Sequence, residues 1–337
     1  MFITQTPLRI SFLGGGTDVE EYYKEYGGST IVASIDKYVY HIIRHLPPFF
    51  GHKNQFTSSI IERFNMPEQV SNPVVRESLK LLDTKNVHIV YDSDLPARSG
   101  LATSSAFAVG LLSGLHCLKG ESLSQEELAK EAILVERILC NEPGGVQDQY
   151  AVAIGGFNRI YFTEQGTNIK PIDISPDRKS KLNSSLLLYF TGFSRNSFDI
   201  MREQIQNIKS IIPDLKEMSS LTNEGEKILT SGDLRDFGKT LDIAWKLKRN
   251  FSTKTTNEYI DCLYDKAIKS GALGGKILGA GGGGCILFYV EPDKQDYFKK
   301  QFSDLVNIDF NFENKGTNIL LEKPQSKSSS TKVFKFS

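Results

Sequence analysis

The sequence predicts an α+β protein of two domains. Three observations carry that reading. The chain has 337 residues, room for two domains at roughly 100–200 residues each. Segments that alternate every second residue and segments with apolar residues three and four apart are mixed in both halves. Between the halves, residues 163–183 form a polar crossing that contains Pro171 and Pro176. The boundary is placed there, with a first domain over 1–175 and a second over 176–323. Residues 324–337 are Ser- and Lys-rich, carry no core pattern and read as a mobile tail.

The elements follow in order. Ile3 to Phe12 is apolar and stops at three glycines, so it reads as a strand entering a loop. Thr30 to Arg44 is β-branched and aromatic and reads as one long strand or a hairpin. Residues 51–72 are polar and irregular. Asn72 to Asp83 puts Val75, Leu79 and Leu82 on one helical face. Val87, Ile89 and Tyr91 mark a strand. Ser105 to Leu118 is apolar nearly all round, the pattern of a buried helix. Ser124 and Glu127 form a capping box that opens the next helix, with Leu128, Ala132, Val135 and Leu139 as its buried stripe. Val146 to Ile154 reads as a short helix and Phe157 to Phe162 as a strand. In the second half, Leu186 to Thr191 is a strand. Helices are expected over Asn196–Ile212, Met218–Ser231, Asp233–Phe251 and Asn257–Ser270. Ile286 to Val290 is a strong strand, Lys294 to Asp304 a helix and Thr317 to Leu321 a final strand.

Composition narrows the partners. Lys plus Arg is 40 and Asp plus Glu is 40, so the chain lacks the basic excess of nucleic-acid or anionic-membrane binders. No run approaches the ~18 apolar residues of a membrane span, and the N-terminus lacks a signal-peptide pattern. Cys117, Cys140, Cys262 and Cys285 are far apart and read as small buried hydrophobes of a reducing compartment. A cytoplasmic enzyme is the expectation.

The chemistry gathers in three loops. Pro96-Ala97-Arg98-Ser99-Gly100-Leu101-Ala102-Thr103-Ser104-Ser105 lies between a strand and a buried helix. A helix N-terminus offers unpaired N–H groups and the positive end of the dipole, which suits a phosphate. It lacks the Walker lysine, and a plain tight turn with a serine cap accounts for it equally well in isolation. The glycine density of Gly279-Ala280-Gly281-Gly282-Gly283-Gly284 costs backbone entropy and points to close approach, a hairpin turn being the alternative. Gly14-Gly15-Gly16-Thr17-Asp18 sets a carboxylate beside a glycine turn, where it can hold sugar hydroxyls. An Asx turn or helix cap is the other reading of Asp18. Two acids lie downstream, Glu136 and Asp148. Phosphoryl transfer to an alcohol needs oxygen ligands for Mg²⁺ and a group that takes or orients the hydroxyl proton. Taken alone, Glu136 reads better as a surface helix glutamate.

Four stretches together carry a resemblance: Thr6-Pro7-Leu8-Arg9-Ile10-Ser11-Phe12 with Gly14-Gly15-Gly16-Thr17-Asp18, the Gly/Ser/Thr loop, Gly144-Gly145-Val146-Gln147-Asp148-Gln149-Tyr150, and Gly155-Gly156-Phe157-Asn158. On these the chain resembles the GHMP kinases over residues 1–323, and among them the D-glycero-D-manno-heptose 7-phosphate kinases. The resemblance implies an N-terminal domain like ribosomal protein S5 domain 2, a ferredoxin-like C-terminal domain and an active site between them. It implies ATP and Mg²⁺ as cofactors and a small sugar phosphate as substrate, and it leaves room for a homodimer. By the same resemblance, Ser99, Gly100, Leu101, Ala102, Thr103, Ser104 and Ser105 wrap the ATP phosphates. Ser105 and Glu136 hold Mg²⁺, Asp148 is the catalytic base or hydroxyl-orienting acid, and Arg9 stabilises charge beside it. Asp18, with Gly15, Gly16 and Thr17, binds the sugar, and Gly281 to Gly284, Gly282 and Gly283 among them, packs against the phosphate loop and helps fix the substrate. The family usually has glycine at position 102; alanine is tolerated there if φ is negative.

A sugar that already bears a phosphate needs a cationic clamp away from ATP. Arg195, Lys246, Lys248 and Arg249 are the candidates; Lys246 and Arg249 share a helix face. Arg195 and Lys246 are preferred, while Lys248 reads equally well as part of a solvated face. A fucose-type or galactose-type sugar kinase is the alternative activity. A non-catalytic sugar sensor is disfavoured because Ser105, Glu136 and Asp148 are all present.

Overall fold

The computed structural model describes residues 1–193 and 197–323. Its first half runs β1 (Phe2–Leu13), α1 (Glu20–Tyr26), β2 (Gly28–His45), β3 (Asn54–Thr57), β4 (Ile61–Phe64), α2 (Pro73–Leu81), β5 (Val87–Ser93), α3 (Thr103–Lys119) and α4 (Gln125–Ile133). A π-helical segment, Leu134–Leu139, continues α4. Then come α5 (Gln147–Ile154), β6 (Phe157–Thr163), β7 (Gly166–Pro171) and α6 (Pro176–Ser184). The second half holds β8 (Leu186–Phe190), α7 (Ser197–Gln206), α8 (Ile212–Thr230), α9 (Leu234–Arg249), α10 (Glu258–Lys269), β9 (Ala272–Ile277), β10 (Cys285–Val290), α11 (Gln295–Gln301), β11 (Val306–Asn307) and β12 (Asn318–Glu322).

The first sheet orders its strands β12-β1-β2-β5-β3-β4, with β6 and β7 added beside β2. One long strand makes this possible: β2 pairs with β6 through Gly28–Ala33 and with β5 through Val39–His45, while β1 follows it on the other side. The all-round apolar helix α3 packs on β1 and β2, as its composition demands. The second sheet, β11-β8-β10-β9, is antiparallel, and α9 and α10 pack on it. Its core holds Trp245, Tyr264 and Phe288, with Phe298 and Phe302 stacked at 4.5 Å. The halves share packing: Phe12 of β1 stacks on Phe157 at 5.4 Å and meets Phe237 of α9 edge-on at 5.5 Å.

Several expectations change. Residues 51–72 contain the β3–β4 hairpin, and the polar crossing contains β7 and α6. Among the described residues β7 pairs only with β6, and it leaves most of its side chains wet, so no apolar alternation marks it. The expected division at 175 falls where the chain leaves the first sheet, but β12, assigned to the second domain, returns to that sheet and sets Glu322 opposite Phe2. Cys262 is exposed rather than buried. The expected mobile tail, 324–337, and Arg195 lie outside the described residues.

The Ser124 capping box forms as expected, the serine hydroxyl accepting from Glu127 N–H and the glutamate accepting from Ser124 N–H. Its downstream stripe does not stay straight. Cys140 N–H donates to Val135 O, five residues back, at 2.8 Å. This wider turn rotates the register, a device that recurs at functional sites. Leu139 emerges 41 % exposed, and Glu136 turns fully inward.

Candidate active site

The three glycine-bearing loops meet at one cleft. Cys285 N–H donates to Ser99 O at 2.8 Å, and Arg9 N–H donates to Leu101 O at 3.1 Å. Gly100 has φ +80°, and a Cβ there would sit 2.6 Å from Leu278 O. The phosphate-type loop and the third loop therefore touch backbone to backbone, which is why glycine stands on both sides.

Gly100, Ala102, Thr103, Ser104 and Ser105 line the cleft at the N-terminus of α3. Ser99 and Leu101 are buried behind them; Ser99 Oγ lies 3.1 Å from Thr103 Oγ1. Ala102 is left-handed, at φ +65° and ψ +30°, so the condition set for its tolerance is not met. A left-handed alanine costs about 1–2 kcal/mol, part of which glycine would return as unfolded-chain entropy. Ala102→Gly is therefore expected to raise stability by up to about 1 kcal/mol at unchanged activity. Thermal unfolding with a parallel turnover assay checks it; a clear loss of stability would contradict the strain.

Glu136 is the hub of the next cluster. Its Oε1 accepts from Ser104 Oγ at 2.9 Å; its Oε2 accepts from Ser105 Oγ at 2.9 Å and Gln149 Nε2 at 2.6 Å. The surface-glutamate alternative is thereby excluded. Every side-chain atom offered here is oxygen apart from the Gln149 nitrogen, and Gln149 Oε1 is buried without a hydrogen-bond partner among the described residues. Such a set fits a hard cation. No group of three or more His, Cys, Asp or Glu among the described residues could hold a metal, so a cation at Ser105 and Glu136 would complete its shell with phosphate oxygens and water, as Mg²⁺ does.

Across the cleft, Arg9 grips Asp148 through two bonds, Nε to Oδ1 at 2.9 Å and Nη2 to Oδ2 at 2.7 Å, and its Nη1 donates to Gly100 O at 2.8 Å. Asp148 sits in the first turn of α5, a position that favours a carboxylate. Asp18 accepts from Gly16 N–H at 3.0 Å and Gln147 N–H at 3.1 Å. It does not cap α1, whose N-cap is Val19. Burial, with the charge of Asp148, pushes its carboxyl above the usual range. Thr17 turns away, donating to Gly14 O, and fixes the turn rather than lining the cleft.

A family model described as GHMP kinases N terminal domain matches residues 68–156, and one described as GHMP kinases C terminal matches residues 225–305. A D-glycero-alpha-D-manno-heptose 7-phosphate kinase of Campylobacter jejuni is 30% identical over 308 residues, 87% of this chain and 90% of its own. The chain belongs to the GHMP kinases. It is an ATP-dependent phosphotransferase. A solved putative sugar kinase of Campylobacter jejuni is 28% identical and superposes with a TM-score of 0.71 over 94% of this chain and 97% of that one. The fold is also that of a solved D-glycero-D-manno-heptose 1-phosphate kinase of Bacteroides thetaiotaomicron, at 24% identity and a TM-score of 0.79, covering 96% of this chain and 100% of that one.

The kinase does not bring Lys246 and Arg249 to the cleft. Lys246 is exposed and pairs with Asp242 at 2.7 Å; Arg249 pairs with Asp261 at 3.2 Å. The cleft-lining lysine of α9 is Lys248, the candidate that by sequence reads equally well as part of a solvated face. Its helical spacing contained the signal: Leu241 and Ala244, seven and four residues earlier, are fully buried on the same stripe. Lys248 Nζ donates to Ile277 O at 3.0 Å and to Gly279 O, at the start of the third loop. Lys276, equally buried, donates to Phe12 O at 2.8 Å. Of the third loop, Gly283 lines the cleft; Gly282 instead donates its N–H to Thr255 O at 2.7 Å.

Burial, with Arg9 nearby, pushes the Lys248 ammonium down to about 7, while the carboxylates of Asp148 and Asp18 oppose the shift. The folded protein thus binds fewer protons than the unfolded chain between about 7 and the ordinary lysine value of 10.5, so this group's contribution to stability rises with pH across that window. Below it both states are protonated and the burial penalty is complete. Between pH 7 and pH 9 the wild type should gain about 2–3 kcal/mol over Lys248→Met. Urea unfolding at both pH values measures it, and a pH-independent difference would refute it.

Proposed function

We propose that this kinase transfers the γ-phosphate of ATP to the anomeric hydroxyl of D-glycero-D-manno-heptose 7-phosphate. The product is the 1,7-bisphosphate, for nucleotide-activated heptose synthesis. The observation that carries the reading is the placement of an Arg-gripped carboxylate, Asp148, in the same cleft as the hydroxyl-rich start of α3. The relative named a heptose 7-phosphate kinase supports the choice of sugar.

In this reading the backbone and hydroxyls of residues 99–105 hold the ATP phosphates at a helix N-terminus. Ser105 and Glu136 would hold Mg²⁺, which when bound neutralises phosphate oxygens. Arg9 fixes both oxygens of Asp148, so the carboxylate meets the incoming hydroxyl in one orientation and takes its proton. Asp18 accepts hydrogen bonds from sugar hydroxyls, on the turn formed by Gly15, Gly16 and Thr17. For the distal phosphate, Arg195 stays a candidate from the sequence, and Arg98 and Arg137 join it as cations that line the cleft.

An ADP-coupled assay with heptose 7-phosphate against fucose, galactose and mevalonate tests the proposal. Turnover of the heptose phosphate with the highest kcat/KM is expected; its absence would overturn the reading. The second reading, a fucose-type kinase, is favoured by a bifunctional fucokinase/GDP-fucose pyrophosphorylase of Arabidopsis thaliana, 25% identical over 90% of this chain and 31% of its own length. Efficient turnover of an acceptor without phosphate would select it.

A further inference from the structure

One wall of the cleft takes no part in holding the nucleotide, the cation or the reacting proton. Helix α7 presents Ser197, Met201 and Gln204 there, at intervals of four and three residues, so they form one face. Gln204 is the most enclosed of these. It is 4 % exposed, and its amide nitrogen is buried with no hydrogen-bond partner among the described residues. A buried donor left without a partner costs the fold stability, so a molecule that keeps one in a binding cleft has a use for it.

Its position says what that use is. A Cβ on Gly16, at φ +98°, would lie 3.0 Å from Gln204 Nε2 and 2.9 Å from Phe251 Cε2. The amide therefore lies directly against the sugar-side turn. The N–H of that same Gly16 is already committed to Asp18 Oδ1. Asp18 and Gln204 thus flank one glycine, a carboxylate acceptor on one side and an amide donor on the other. Phe251 supplies an apolar surface beside them. A hydroxyl both donates and accepts, and a polyol offered to this corner satisfies both groups at once.

We propose that Gln204 is a specificity-determining residue for the acceptor: its amide donates to a hydroxyl of the sugar held beside Gly16 and Asp18. The inference rests on the sugar-kinase reading and names a recognition group within that site. It makes α7, an element of the second half, part of the acceptor pocket formed mainly by the first.

Gln204→Leu tests it, because leucine keeps most of the volume and removes the orphaned donor. The expected result is a KM for the sugar raised about ten- to hundred-fold, with nucleotide affinity, followed by a fluorescent ADP analogue, unchanged. Thermal stability should stay equal or rise, since the unpaired amide is gone. Deoxy analogues of the acceptor locate the contact. One deoxy sugar should lose as much against the wild type as Gln204→Leu does, and lose little more against the variant. A sugar KM within two-fold of wild type, or a deoxy series that adds fully to the variant, would overturn the inference while leaving heptose phosphate turnover by the wild type intact. Failure of the sugar reading itself shows in the wild-type assay, before any variant is made.

Discussion

Asp148→Asn is expected to lower kcat by about 10²–10⁴ while nucleotide affinity stays near wild type. The substitution preserves volume and removes the charge. It also spoils the clamp: both carboxylate oxygens accept from Arg9, at 2.9 and 2.7 Å, and an asparagine can accept through only one of its two terminal atoms. The other atom points N–H toward the guanidinium. Part of the loss therefore belongs to Arg9, whose remaining bond to Gly100 O links the same arginine to the phosphate-type loop. A cycle with Arg9→Lys separates the two parts: lysine keeps the charge and lacks the bidentate fork. Strong non-additivity is expected, with the double variant barely worse than Asp148→Asn. Steady-state kinetics with a parallel titration of nucleotide checks both numbers, and turnover by Asp148→Asn at the wild-type rate would remove Asp148 from the proton-accepting role.

The sequence carried the cleft unevenly. Loops that act through their backbone are legible as tight turns, because glycine, serine and threonine set between a strand and an apolar helix suit close backbone approach; the anion-holding reading outweighs a plain serine-capped turn only beside the other motifs. Side chains whose direction depends on helix phase were less so. Lys246 and Arg249 share a face, as expected, but it is the outer one; Lys248, equally compatible with solvent by its charge, is drawn in by the stripe of Leu241 and Ala244. Charge favoured the outer pair, and spacing decided against it. Glu136 was masked differently. Its burial depends on the π-turn at Leu134–Leu139, and no residue type announces that turn. Gln204 carried no signal in isolation, since an amide on an amphipathic helix is ordinary until a glycine turn lies against it. Three strands without an apolar signature share a cause as well, while the interior strand β3 is simply short and mostly polar. β4, β7 and β9 are sheet edges, and β7 is mostly wet while β9 contains Gly274 and Gly275, so none displays apolar alternation. The positive φ of Ala102 has no sequence signal, since its residue type argues against the conformation it adopts.

Glu136 supports the second large expectation. Three donors converge on its carboxylate from three places: Ser104 and Ser105 in the first turn of α3, and Gln149 in α5. The residue is fully buried. Removing the carboxylate strands these donors, and Glu136→Ala leaves a cavity as well, so stability should fall by about 2–4 kcal/mol. Glu136→Gln fills the cavity but offers one acceptor oxygen where the carboxylate offered two, and it adds an N–H that meets donors. Its cost should be smaller, about 1–2 kcal/mol. Activity should not follow that order. A neutral amide brings no charge to a hard divalent cation and holds it more weakly than a carboxylate does, so both variants should lose about 10²-fold or more in kcat/KM, and Glu136→Gln should need more Mg²⁺ for half-maximal rate. A structural role alone predicts the opposite pattern, with activity tracking stability and the Mg²⁺ requirement unmoved. Thermal unfolding and a Mg²⁺ titration of each variant, run below its unfolding temperature, separate the two. If Glu136→Gln stayed folded and kept the wild-type Mg²⁺ dependence, the carboxylate would be an anchor between α3 and α5, and the metal would have to be held elsewhere along the phosphate-type loop.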